Sequence, residues 1–256
     1  MISLRSMRAR RAIGAWLACA LLLTGACGTR LIRQYEYEEE IYLDLDGSAT
    51  LVVNASIPAL VALRGLPLDP APRARIDRTA LRRLFAAAGV EVTRVSRPWR
   101  RDGRRFVQIR LEVDDVRRLG SVGPFGWSQY RFAPEGEQYR YHQLVGAPAA
   151  APVSGVGWDG TELVAFRLHL PSRIQFHNAR DVETGAGAAV QRGNIVAWEQ
   201  TLADRLAGVP VEIDVRMDQQ SILYRTLAIF GLSFAAAMAA LAGVVWWVVR
   251  GRPADA

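Results

Sequence analysis

Residues Leu227–Val249 form an uninterrupted uncharged run. At 1.5 Å per residue a helix of this length crosses the hydrocarbon core of a bilayer, so whatever precedes it must fold beside a membrane. Tyr224 stands at one edge of the run and Trp246-Trp247 at the other, where an aromatic belt would sit. Arg250 and Arg252 follow at once and favour a cytoplasmic tail, with Arg225 on the other side opposing that asymmetry slightly. The expectation is a transmembrane helix over 226–249 and a tail at 250–256. Gly231, Ala235, Ala239 and Gly243 recur every four residues and form a stripe on which a membrane-helix partner could pack closely. The alternative is an accident of alanine-rich composition.

The other end also points to a membrane. Arg5, Arg8, Arg10 and Arg11 precede an apolar stretch, Ala12 to Leu23, too short and wrongly flanked for a span. Residues 1–26 read as a secretory signal. Its end, Leu23-Thr24-Gly25-Ala26-Cys27, resembles a bacterial lipobox, with Thr24 where leucine is usual. That resemblance implies lipid attachment at Cys27 and cleavage before it; a plain signal peptide or uncleaved anchor is the other reading. Cys19 would leave with the leader, and Cys27 would carry lipid. Residues 28–220, an extracytoplasmic domain, must then fold without a disulfide and without a thiolate for catalysis or metal binding.

The sequence pI near 10.1 invites a nucleic-acid reading. The distribution of charge argues against one. All 32 basic residues are arginine, against 25 acids; six of the arginines and one aspartate lie in the leader and tail, so residues 28–225 are nearly balanced. A nucleic-acid binder should concentrate its excess in the folded domain. Charge is segregated all the same. Residues 31–63 hold one arginine against six acids, while residues 64–110 hold 13 arginines against four. Arg100, Arg101, Arg104 and Arg105 are the densest group and the candidate contact for anionic headgroups. The competing reading is pairing with the acidic strand inside the domain.

That strand shows a period of two. Leu31, Tyr35, Tyr37, Ile41, Leu43 and Leu45 alternate with Gln34, Glu36, Glu38, Glu40, Asp44 and Asp46. Asp46-Gly47 signals a hairpin, with a second strand over 50–56. Pro58, Pro67, Pro70 and Pro72 predict a loop. A helix is predicted over 77–88, capped by Asp77, with Leu81, Leu84, Phe85 and Ala88 on one face. Strands follow at 90–97 and 106–113, a helical turn at 114–119, then strands at 128–133, 138–145, 162–170, 174–177, 195–200 and 211–217. The class is α+β: a strand-rich, mainly antiparallel domain with one or two helices, and a weak subdivision at 146–157.

Catalytic motifs are absent. Gly155-Val156-Gly157-Trp158-Asp159-Gly160 matches a dinucleotide fingerprint in letters, but a strand follows where a helix is needed, so it reads as a glycine-rich connection. His142, His169 and His177 fall on the polar sides of their strands, and no serine sits in a nucleophile elbow. No cofactor or metal is expected, and a hydrolase is a minor alternative. Phe125, Trp127, Tyr130, Phe132, Tyr139 and Tyr141 either line a groove or form the core of a sheet.

The layout as a whole resembles the LppM-type lipoproteins. Besides the lipobox and the span, His169-Leu170-Pro171-Ser172-Arg173-Ile174 leading to Asn178, and Gly193-Asn194-Ile195-Val196-Ala197-Trp198-Glu199, look like the family's proline, asparagine and tryptophan pattern. The resemblance implies lipid or glycolipid binding at the envelope and transfers no binding residue. The residues themselves imply a tethered, non-enzymatic module. Its expected partner is membrane lipid or another amphiphile, and no nucleic acid. The competing expectation is a scaffold or assembly protein making protein contacts in the membrane.

Overall fold

The computed structural model describes residues 33, 35–149 and 151–250. The signal at 1–26, Cys27 and residues 251–256 therefore lie outside the described residues. The described residues from Tyr35 to Arg250 belong to one compact unit.

The acidic strand β1 (Tyr35–Leu43) turns at Asp46-Gly47 into β2 (Ala49–Ser56). Helices α1 (Ile57–Arg64) and α2 (Arg78–Phe85) follow, then β3 (Val90–Val95), β4 (Trp99–Arg101) and β5 (Arg104–Val113). Two short 3-10 turns lead to β6 (Ser128–Glu135) and β7 (Gln138–Val145). Next come β8 (Leu163–His169), β9 (Ser172–His177), β10 (Ile195–Thr201), α3 (Leu202–Leu206), β11 (Val211–Ser221) and α4 (Ile222–Arg250).

Two sheets result. The larger has the order β10-β8-β1-β2-β5-β3, with β4 also paired to β5; the smaller is β6-β7-β11-β9. Every pairing is antiparallel except β1 with β8. The α+β, strand-rich architecture is thus present. One apolar core joins both sheets, from Tyr37, Ile41, Val53 and Ile109 on the larger to Tyr141, Ile213 and Val215 on the smaller. The expected subdivision at 146–157 is instead the crossing from one sheet to the other over that shared core.

The proline-marked loop is the main correction. Residues 57–64 are helical: Ser56 caps the N-terminus by accepting from Ala59 N at 3.1 Å, Pro58 sits in the first turn, and Gly65 closes the helix at φ 64°. Proline costs nothing in a first turn, whose N–H groups have no helical partner. Seven of the eight residues are buried, so no amphipathic stripe marked the helix. The predicted Asp77 cap is present, its Oδ1 accepting from Thr79 N at 2.8 Å and Ala80 N at 3.1 Å, and Leu81 and Phe85 enter the core.

The register of β1 on β8 fixes the poles of the larger sheet. Tyr35 pairs with Leu163 and Tyr42 with His169. Beyond His169, Pro171 accepts a hydrogen bond from Ile222 N at 2.9 Å, so this pole abuts the start of α4. The Tyr35 pole is about 20 Å away along the strands. Among the described residues α4 is the one helix long and apolar enough to cross a membrane, and none of it is buried. Tyr224 and Trp246 are separated by about 33 Å along its axis, close to a bilayer's apolar thickness.

Candidate functional site

The four arginines proposed as an anionic-surface contact do not act as one face. Arg104 is 5% exposed and joins Glu36 at 2.9 Å. Its other N–H groups reach Val156 O and Gly157 O. Arg105 is 7% exposed and donates to Asp69 O and Ala71 O. Arg101 donates to Tyr35 O and stacks over Phe106. Arg100 alone of the four is fully at the surface, donating to Pro72 O at 3.0 Å. The hairpin also lies at the Tyr35 pole, away from α4. Pairing with the acidic strand, the competing reading, is what Arg104 does, because Glu36 faces it across the sheet.

Sequence reasoning missed a buried polar cage between the sheets. Glu39 shares the core face of β1 with Tyr37 and Ile41 and is 1% exposed. It accepts from Arg64 at 2.5 Å, Tyr37 at 2.8 Å, Tyr130 at 3.1 Å and Gln143 at 3.3 Å. The Arg64 guanidinium lies within 5 Å of the ring centres of Tyr37, Phe125 and Trp127 and also donates to Pro124 O. Burial pushes the Glu39 carboxyl up to about 7, against the hydrogen bonds of Tyr130 and Gln143, and pushes Arg64 down to about 9. Their mutual contact opposes both shifts, since each charge offsets the other's desolvation. Arg205 also lies over the Trp127 ring, 5.5 Å from its centre, fully buried and donating to Gly146 O at 2.6 Å, its guanidinium lowered in pKa by burial. The signal for Glu39 was legible: it falls on the odd, apolar phase of its strand. The aromatic group from Phe125 to Tyr141 is core around this cage, with Trp127 and Tyr139 partly buried.

The pole beside α4 is different. A cavity of about 250 Å³ opens where β11 runs into the helix, lined by Arg173, Arg225, Glu137, Asp218, Gln219 and Ile222 among others. Arg173, Arg225 and Glu137 are exposed, and none of these three side chains makes a hydrogen bond or ion pair with another described residue. Gln219 Nε2 donates to Gly136 O at 3.0 Å and so holds the β6–β7 turn that carries Glu137. Asp218 accepts from Gln175 at 2.7 Å. Leu223 and Tyr224, 67% and 73% exposed, flank the cavity on the helix. In the sequence Arg225 bears only on topology, and Arg173 falls within the stretch from His169 to Ile174.

The remaining candidates have structural settings. His142 lies 3.0 Å from Glu212, His169 lies 3.3 Å from Glu40 and stacks on Tyr42, and burial lowers the pKa of His177. All three are half-buried rather than freely exposed. Residues 155–160 form a connecting loop over Arg104 and lead into β8. Asn178 accepts from Trp198 Nε1 at 2.8 Å and from Asp214 N at 3.0 Å, tying β10 to β11. Asn194, at φ 62°, donates to Leu170 O at 2.9 Å. Gly231, Ala235, Ala239 and Gly243 lie along α4, and a Cβ added at either glycine would meet nothing. No three His, Cys, Asp or Glu side chains gather as metal ligands among the described residues.

No family model matches the chain, and no curated protein matches it. It is similar to the NMR structure of the folded domain of LppM from Mycobacterium tuberculosis, with 12% sequence identity, 74% of this chain and 94% of that chain covered, and a TM-score of 0.38. The resemblance is weak, and neither ligand nor role is carried across from it.

Proposed function

We propose that this chain is a non-enzymatic envelope lipoprotein that holds an extracytoplasmic domain against the cytoplasmic membrane and binds phospholipid there. The observation that carries the reading is the junction of β11 with α4. There the polar end of the domain, with Arg173 and Arg225 unpaired, meets a helix apolar over the thickness of a bilayer. Arginine is suited to this place, because its guanidinium presents several N–H donors to a phosphate. A second tether at Cys27 is compatible with chain length: the residues between it and Tyr35 can span about 25 Å, enough to descend from the far pole of the sheet.

Native mass spectrometry of the purified full chain tests lipid binding. The expected result is a bound phospholipid that survives repeated detergent exchange; bare protein throughout would reject it and favour the scaffold reading, in which the small-residue stripe on α4 makes protein contacts. Tethering has its own test. Cys27→Ala should abolish fatty-acid labelling and retain the leader, and a reporter after Ala256 should lie in the cytoplasm while one at Gly155 is exported.

A further inference from the structure

Opposite charges that line one small cavity normally pair. Here Arg173, Arg225 and Glu137 do not, although each borders the same space of about 250 Å³. The strands hold them apart. Glu137 is fixed by its turn, which Gln219 anchors to β11. Arg173 lies on β9, on the other side of β11. Arg225 lies in the first turn of α4. A ligand that bridges such a set must itself carry both charges.

The register gives those charges an order along β11. Ser221, the last residue of β11, pairs with Ser172, so Arg173 sits just above the start of α4. Asp218 pairs with Gln138, the residue after Glu137, so the two carboxylates lie level with or above Arg173. Arg225 is below them all, three residues into the helix. Reading away from α4 along β11, Arg225 comes first, Arg173 and Glu137 follow level with each other, and Asp218 is one residue further. A phospholipid with an ammonium head carries its phosphate next to the glycerol, within reach of the two guanidiniums, and its ammonium beyond, within reach of the carboxylates. Ile222, 43% exposed, gives the cavity an apolar lower lip where the glycerol would rest.

We infer that this cavity is a headgroup site for a zwitterionic phospholipid with a primary ammonium, of the phosphatidylethanolamine type. Its phosphate bridges Arg173 and Arg225, and its ammonium donates to Glu137 and to the free oxygen of Asp218. A primary ammonium has three N–H donors; the quaternary ammonium of a choline head has none, so the carboxylates discriminate between the two. A glycerol head has no positive charge to place against them. The inference rests on the phospholipid-binding reading above and names its ligand class.

The test uses the purified full chain incubated with an equimolar mixture of phosphatidylethanolamine, phosphatidylcholine and phosphatidylglycerol, followed by native mass spectrometry of the retained lipid. The ethanolamine lipid should be retained about tenfold over the choline lipid, as one charged hydrogen bond is worth. Glu137→Gln should reduce that ratio several-fold while total retention persists. Arg173→Ala with Arg225→Ala should abolish retention of all three. These side chains are exposed, so the variants fold. Equal retention of ethanolamine and choline lipids, preference for the glycerol lipid, or indifference to the arginine pair would overturn the inference and leave phospholipid binding standing. No lipid retained from any mixture would overturn both.

Discussion

The chain uses arginine in two ways, as a buried paired group inside the domain and as an exposed unpaired one beside α4. Between the sheets and along β5, Arg64, Arg104, Arg105 and Arg205 are buried against carboxylates, carbonyls and aromatic rings. Beside α4, Arg173 and Arg225 are exposed and without partners among the described residues. Density in the sequence does not separate the two: Arg205 is isolated in sequence yet buried, while Arg82 and Arg83 in the dense stretch are exposed. A guanidinium available to a ligand is one that the fold has left unsatisfied, and that depends on what faces it across strands far apart in sequence.

Substitutions should widen this contrast, beginning with the cage. Arg64→Ala strands the Glu39 carboxylate in the core, and the domain should lose ~3–5 kcal/mol in urea unfolding. Arg104→Ala does the same to Glu36, which keeps a hydrogen bond from Trp158, and should cost about 3 kcal/mol. Arg100→Ala, four residues away, should cost less than about 0.5 kcal/mol. Equal costs for Arg104 and Arg100 would erase the distinction.

A smaller effect is expected at the pole where Asp115 caps the 3-10 turn Val116–Ser121, accepting from Arg117 N at 2.9 Å. Asp115→Ala should cost about 1 kcal/mol. The Arg117 side chain holds the Asp115 carboxyl below its ordinary value of 3.8. A depressed carboxylate stabilises the fold fully above the unfolded value and loses that contribution as pH falls through the folded one. The gap between wild type and variant should thus be full at neutral pH and shrink below about pH 4; a gap that persists there would show that the charge is not its source. Smallest of all, Arg173→Ala and Arg225→Ala should leave stability within about 0.5 kcal/mol while removing bound lipid.

Much of the fold was legible because it was written in local pattern. The period of two placed β1, and the Asp77 cap placed α2. The cage was half legible, since Glu39 sits on the apolar phase of β1, but its partner Arg64 is 25 residues on and its other donors come from β6 and β7. Helix α1 escaped because a segment buried on all sides carries no stripe. The cavity beside α4 could not be read at all. It draws Glu137, Arg173 and Arg225 from a turn, a strand and a helix whose adjacency is set only by the pairing of β7, β11 and β9.

The most direct measurement is where lipid touches the chain. A photoreactive side chain, benzoylphenylalanine, is introduced at Gln220, which lines the same cavity without a binding role, as Gln220→benzoylphenylalanine in one full chain and as Arg100→benzoylphenylalanine in another. Each is reconstituted into phospholipid vesicles, illuminated, and digested for mass spectrometry. Phospholipid adducts should form at position 220 and be absent at position 100. Adducts at position 100 that match or exceed those at 220, or none at 220, would contradict the account.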